Sequence, residues 1–190
     1  MARFGKFVED VSGTEIVEAA LVLPLVFLLM LAIFWFGRAF NISSTLTRAV
    51  KEGAITATHN TCSTCGNAAA TNQAVADTVQ NELAADHLDP ASLQSYTPPF
   101  ICTMTPAPVC TSTVTASTGP AFNLQICTNV PLTCGTGAAP GCGTATPPAC
   151  GTSPILGTRV SARYLFNFRL GLSNLPAPSL PASAQSQAEN

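Results

Sequence analysis

Two groups of residues in this 190-residue chain have the type and spacing to do chemistry. The first is Gly13 followed five positions later by Glu18, at the mouth of an apolar segment that carries no charge from Ala19 to Gly37. An ionised carboxylate at membrane depth costs about 2.5–3.5 kcal/mol on insertion scales, so a glutamate at the start of a span calls for a partner. With a glycine just upstream, it points to processing and assembly rather than plain anchoring. The second group is Cys62-Ser63-Thr64-Cys65, with the spacing of a thioredoxin-type redox pair, in which a helix N-terminus activates the first thiol. That chemistry places the pair at the start of a helix after a buried strand, whereas here the preceding segment reads as a helix. A four-cysteine zinc site would need two close pairs, and the sequence has one. Structural disulfide use is the expected role.

The other candidates are weaker. His59 and His87 stand alone at the ends of expected helices and read as solvated or capping residues. Asp86 and Asp89 read as a helix-end acidic pair rather than a catalytic dyad. No nucleophile elbow, phosphate loop or zinc-protease motif is present, so the chain is expected to be no enzyme and to use no metal or cofactor.

Composition narrows the partners. Charged residues make up 9% of the chain and the net charge is −2, which gives no electrostatic footprint for nucleic acid. Between Ala54 and Thr158 the only charged residues are Asp77, Glu82, Asp86 and Asp89, so this region would not adhere to an anionic lipid surface. All eight cysteines (Cys62, Cys65, Cys102, Cys110, Cys127, Cys134, Cys142 and Cys150) follow the apolar segment. An even number confined to one side implies an oxidising compartment. Their connectivity is open. The neighbouring pairs Cys102 and Cys110, Cys127 and Cys134, and Cys142 and Cys150 would close short loops, each contributing roughly 2–3 kcal/mol.

The elements that must position these residues follow from periodicity and breakers. Residues 1–13 form a polar leader, with Arg3 and Lys6 offset by Glu9 and Asp10. The 19 residues from Ala19 to Gly37 give about 28 Å of helix, enough for a hydrocarbon core of about 30 Å, with Pro24 inside. A cleaved signal peptide would have a shorter core and a basic front. Lys and Arg counts on the two sides do not fix the orientation, but the cysteines do, placing the N-terminus in the cytoplasm and the C-terminal part outside. Ser12 and Glu15 match a capping box that would start the helix near Thr14, and no proline interrupts the chain from Arg38 to Thr58, so the helix is expected to continue outward. A second helix is expected over 68–88, and strands over 109–116, 122–130 and 160–170. In the last, Val160, Ala162, Tyr164, Phe166, Phe168 and Leu170 give a dry face; Ser161, Arg163, Asn167 and Arg169 give a wet one. Residues 134–154 read as a Gly, Thr, Pro and Cys-rich loop, and 171–190 as a mobile Pro/Ser-rich tail. The expected fold class is α+β. A long N-terminal membrane-spanning helix (14–58) continues into a small disulfide-braced domain (59–170) with a second helix and a short antiparallel sheet.

The run Val17-Glu18-Ala19-Ala20-Leu21-Val22-Leu23-Pro24, with Gly13 ahead of it and Arg48-Ala49-Val50-Lys51-Glu52-Gly53-Ala54 behind it, resembles the TadE-like minor pseudopilins of the tight-adherence (Tad/Flp) pilus system. Ala19 stands where that family usually carries an aromatic residue. The resemblance implies that a prepilin peptidase in the bacterial inner membrane cuts after Gly13, leaving Thr14 as the new N-terminus and Glu18 as the fifth mature residue. The freed α-amino group of a neighbouring subunit would then be a suitable partner for the Glu18 carboxylate, fixing axial register between stacked helices. The implied partners are the peptidase, other pilin or pseudopilin subunits and the assembly platform, with the cysteine-rich domain in the periplasm and adhesion as the wider role. Two other classes stay open: an unprocessed single-pass anchor displaying a disulfide-rich binding domain, and a membrane-tethered thiol oxidoreductase using Cys62 and Cys65.

Overall fold

The computed structural model describes residues 11–59, 70–133, 149–166 and 178–187, with residues 11–16 described by backbone alone. Residues 1–10 of the leader, the Cys62/Cys65 pair, Cys134 and Cys142 lie outside the described residues. Among the described residues the fold is α+β, with two α-helices and one antiparallel five-stranded sheet. The chain divides into two compact units, Met1–Phe40 and Asn41–Asn190.

Helix α1 runs over Val11–Thr58 without interruption, Pro24 included. Ser12 and Gly13, ahead of the expected start at Thr14, already have helical backbone, so the Ser12/Glu15 capping box does not set the boundary. Nothing in Val11-Ser12-Gly13 forbids extending the helix. The second unit starts inside α1 rather than after it, because Ile42, Thr45, Leu46, Ala49, Val50, Ala54 and Ala57 are buried at helical spacing.

Helix α2 spans Asn72–Ala85, shorter than the expected 68–88, because Thr71 caps it: its hydroxyl accepts the Ala74 N–H at 3.2 Å. Val75, Ala76, Val79 and Leu83 form its buried stripe. It ends in a Schellman motif, in which Leu88 N–H reaches Leu83 O at 2.9 Å and His87 N–H reaches Ala84 O at 3.1 Å. His87 takes the left-handed position usually given to glycine, at φ 56°. Asp89 then caps a 3-10 turn, Pro90–Ser92.

The strands are β1 (Leu93–Gln94), β2 (Val109–Val114), β3 (Phe122–Pro131), β4 (Leu156–Leu165) and β5 (Ser179–Ser186). β4 is central. β5 pairs with it along Thr158–Leu165, while β3 pairs with Leu156–Ser161 and β1 with Arg163–Tyr164, so β3 and β1 share the edge opposite β5. β2 lies outside β3. β4 therefore sits four residues earlier than the alternation suggested, and residues 167–170 of the expected strand lie outside the described residues.

The tail is a correction to the sequence reading. Residues 179–186 are a strand in eight-residue register with β4, with Ala182 buried. Serine and alanine gave no apolar alternation, and it is the backbone ladder that orders the segment. Phe166 N–H donates to Pro178 O at 3.0 Å, and the antiparallel alternation from that bond turns the Pro181 nitrogen away from β4 toward the outer edge. At the opposite edge, the β2–β3 register shifts between Thr111 and Thr113, with the extra residue on β3, and Ser95 Oγ donates to Ser112 O at 2.9 Å.

α1 and α2 cover the face of the sheet that carries Val160, Ala162, Leu124 and Ile126. The fully buried Leu46, Val50, Val75, Val79, Leu83, Leu124, Val130 and Val160 form the core, each worth about 1.5–3 kcal/mol on burial. The other face of β4 is polar, yet it is not wet as expected: Ser161 is 0% and Arg159 2% exposed. A strap, residues 95–100, lies over it and supplies the hydrogen-bond partners that water would otherwise provide.

Candidate functional site

From Val17 to Met30 every side chain of α1 is exposed. Val17, Leu21, Ile33, Phe36 and Phe40 are each about two-thirds exposed or more, so the apolar surface goes all the way round rather than forming one stripe. A helix apolar on every side belongs in a core or in a bilayer. Here it is in no core: its most apolar window has a mean hydropathy of 2.7 and is 0% buried, and it is long and apolar enough to cross a membrane. Glu18 is exposed on this surface, and Gly13 and Thr14 lie on the same helical backbone one turn and more before it. The described side chains provide no partner for the Glu18 carboxylate in the form of an ion pair.

At the far end of the apolar run the surface changes character. Phe34, Trp35, Phe36 and Phe40 fall within this stretch, and the Arg38 guanidinium carbon lies 5.9 Å from the Trp35 ring centroid. The Phe34 and Trp35 rings meet edge to face at 5.9 Å.

Residues 48–54 do a different job. Ala49, Val50 and Ala54 are buried, and a Cβ on Gly53 would come within 2.8 Å of Val79 and 3.6 Å of Val160, so this segment packs the helix pair on the sheet. On the polar side Arg48 Nε meets Glu82 at 3.1 Å, an exposed pair worth at most about 1 kcal/mol. The Thr45 hydroxyl donates to Asp86 at the C-cap of α2.

Of the eight cysteines, the structure joins Cys102 with Cys150 and Cys110 with Cys127. Neither pair is one of the short loops expected. Cys110 and Cys127 are cross-strand partners in register on β2 and β3, with Cα atoms 4.1 Å apart, and Cys102 is brought to Cys150 by the Thr103 to Ala149 bridge beside it. The sheet register chooses the pairing, and sequence spacing does not report it.

Sequence reasoning missed the strap. Arg159 donates to the carbonyl oxygens of Pro98 at 2.9 Å and Pro99 at 3.3 Å, and stacks on Phe100 with its guanidinium carbon 4.2 Å from the ring centroid. Arg163 lies over Tyr96 at 5.3 Å, and Ser161 Oγ donates to Tyr96 O at 2.6 Å. Burial pushes the Arg159 pKa down from its ordinary value, opposed by Tyr96. The signal was a Tyr-Thr-Pro-Pro-Phe run facing two arginines on one strand face, legible only once the strand register is known. Asp77 was also missed. Its carboxylate accepts both the N–H and the hydroxyl of Ser117 at 2.6 Å, tying the turn after β2 to α2.

Among the described residues no group of His, Cys, Asp and Glu could hold a metal ion. An open depression of about 390 Å³ beside Cys150, lined by Thr103, Met104, Thr105, Gly151 and Pro154, has no charged side chain in its wall.

Residues 13–54 match the family of TadE-like proteins, the segment that holds both Glu18 and the packing residues around Gly53. The likeness covers 42 of the 190 residues and is to this segment of the TadE-like proteins. No curated protein and no solved structure matches the chain.

Proposed function

We propose that the chain is a non-enzymatic assembly subunit of a tight-adherence pilus, cut after Gly13 by a prepilin peptidase and packed against other pilin or pseudopilin helices through the apolar surface of α1. The observation that carries this reading is Glu18, exposed on an all-round apolar helix, five residues after Gly13 and inside the family match. The new α-amino group of an adjacent subunit supplies the positive partner that the chain itself lacks among its described side chains. The bacterial inner membrane holds the span, and the two disulfides suit an oxidising periplasm on its far side.

One observation favours the plain anchor. The Gly13–Thr14 bond lies in helical backbone, and a peptidase must unwind the helix there to reach it. Intact mass and N-terminal sequencing of the unreduced protein from its native membrane separate the two readings. A chain starting at Thr14, with a mass lower by the eight hydrogens of its eight cysteines, supports the processed subunit. A chain starting at Met1 or Ala2 makes it an unprocessed anchor that displays its disulfide-rich domain.

A further inference from the structure

From the Trp35 and Arg38 geometry we infer that this pair is an interfacial anchor for phospholipid headgroups, and that it fixes the depth of α1 in the bilayer. The inference rests on reading residues 19–37 as a membrane span. Tryptophan and arginine are the side chains that settle at the boundary between acyl chains and headgroups, the ring because it is amphipathic and the cation because phosphate is there. Here the guanidinium sits over the indole at 5.9 Å, and Phe34, Phe36 and Phe40 are exposed at the same level of the helix. This band closes the apolar run: the first charged residue after Glu18 is Arg38, and the buried stripe of the second unit starts at Ile42.

The anchor also determines where Glu18 stands. Glu18 and Arg38 are 20 residues apart on one continuous helix, about 30 Å of axial rise, which equals the thickness of the hydrocarbon core. With Arg38 held among the headgroups of one leaflet, Glu18 is held at the boundary of the other. Its carboxylate therefore stays in reach of water before assembly and avoids the cost of insertion at the membrane centre.

Trp35 is the only tryptophan in the chain, so its fluorescence reports one position. The full-length protein is reconstituted in phosphatidylcholine and phosphatidylglycerol vesicles whose acyl chains carry bromine either just below the headgroups or near the chain ends. The expected result is stronger quenching by the shallow label, and a shift of quenching toward the deep label in Arg38→Leu. Equal or stronger quenching by the deep label in the unaltered protein would overturn the anchor. So would an Arg38→Leu variant whose Trp35 keeps its depth. The vesicles contain no pilus component, so failure here leaves the processing and assembly reading standing, and an unprocessed N-terminus leaves this one standing.

Discussion

Gly53 on α1 faces Val79 on α2 with no room for a side chain: a Cβ there would lie 2.8 Å from Val79 Cγ2. A glycine inside a helix ordinarily costs about 1 kcal/mol relative to alanine, and the close approach of two helices and a strand is what that cost obtains. Gly53→Val is expected to destabilise the second unit by about 1–3 kcal/mol through overpacking, read as a lower denaturation midpoint. Gly53→Ala should lose less, because the helix propensity it gains offsets part of the clash.

Arg159 acts as the clasp of the strap. Arg159→Ala leaves the Pro98 and Pro99 carbonyls without donors beneath the strap, an expected loss of about 2–4 kcal/mol in urea unfolding of the oxidised protein. Arg159→Lys, which keeps one charge-assisted donor, should fall between the two; equal stability of all three proteins would refute the clasp.

The two crosslinks differ in what they enclose. Cys110 and Cys127 are 17 residues apart and Cys102 and Cys150 are 48 apart, so replacing each pair with alanine should cost about 3 and about 4 kcal/mol respectively. Thermal unfolding of the two double variants in detergent checks the order.

The Asp77 carboxylate is held below the usual aspartate range by the Ser117 hydroxyl first and the Ser117 N–H second. A depressed folded-state pKa adds stability above the unfolded value, and that stability is lost as pH falls through the folded one. Asp77→Asn should therefore match the parent in strong acid and fall below it near neutral pH. Melting temperatures measured across the acid range test the sign.

Glu18→Ala removes an exposed carboxylate from the mouth of the span and touches no buried contact. Membrane insertion should be unchanged or slightly improved, while surface pili should fall sharply. Normal pilus counts in this variant would remove Glu18 from the assembly reading.

Much of this architecture was legible because it is written in periodicity. The unbroken apolar run gave α1, the Val75/Val79/Leu83 stripe gave α2, and the alternation around Val160 and Tyr164 gave the dry face of β4. What stayed illegible depends on which backbone lies beside which. β5 is made of serine, alanine and proline, with no apolar signature, and is ordered by main-chain pairing to β4. The polar side of β4 reads as wetted until Tyr96 to Phe100 are known to cross it. The disulfide partners follow from strand register, so nearest neighbours in sequence were the wrong guess. At the candidate site, Glu18 was evident from type and position, whereas the role of Gly53 needed the neighbouring helix.

The Pro181 nitrogen faces out from one rim of the sheet, and at the other the Ser95 hydroxyl occupies the Ser112 carbonyl of β2. A row of identical molecules held side by side at high local concentration would invite one sheet to template the next, as amyloid does. Among the described residues, each rim is interrupted as a template, by the missing N–H of Pro181 on one side and the occupied Ser112 carbonyl on the other. Such interruptions let folded domains be crowded together without fusing into a common ribbon.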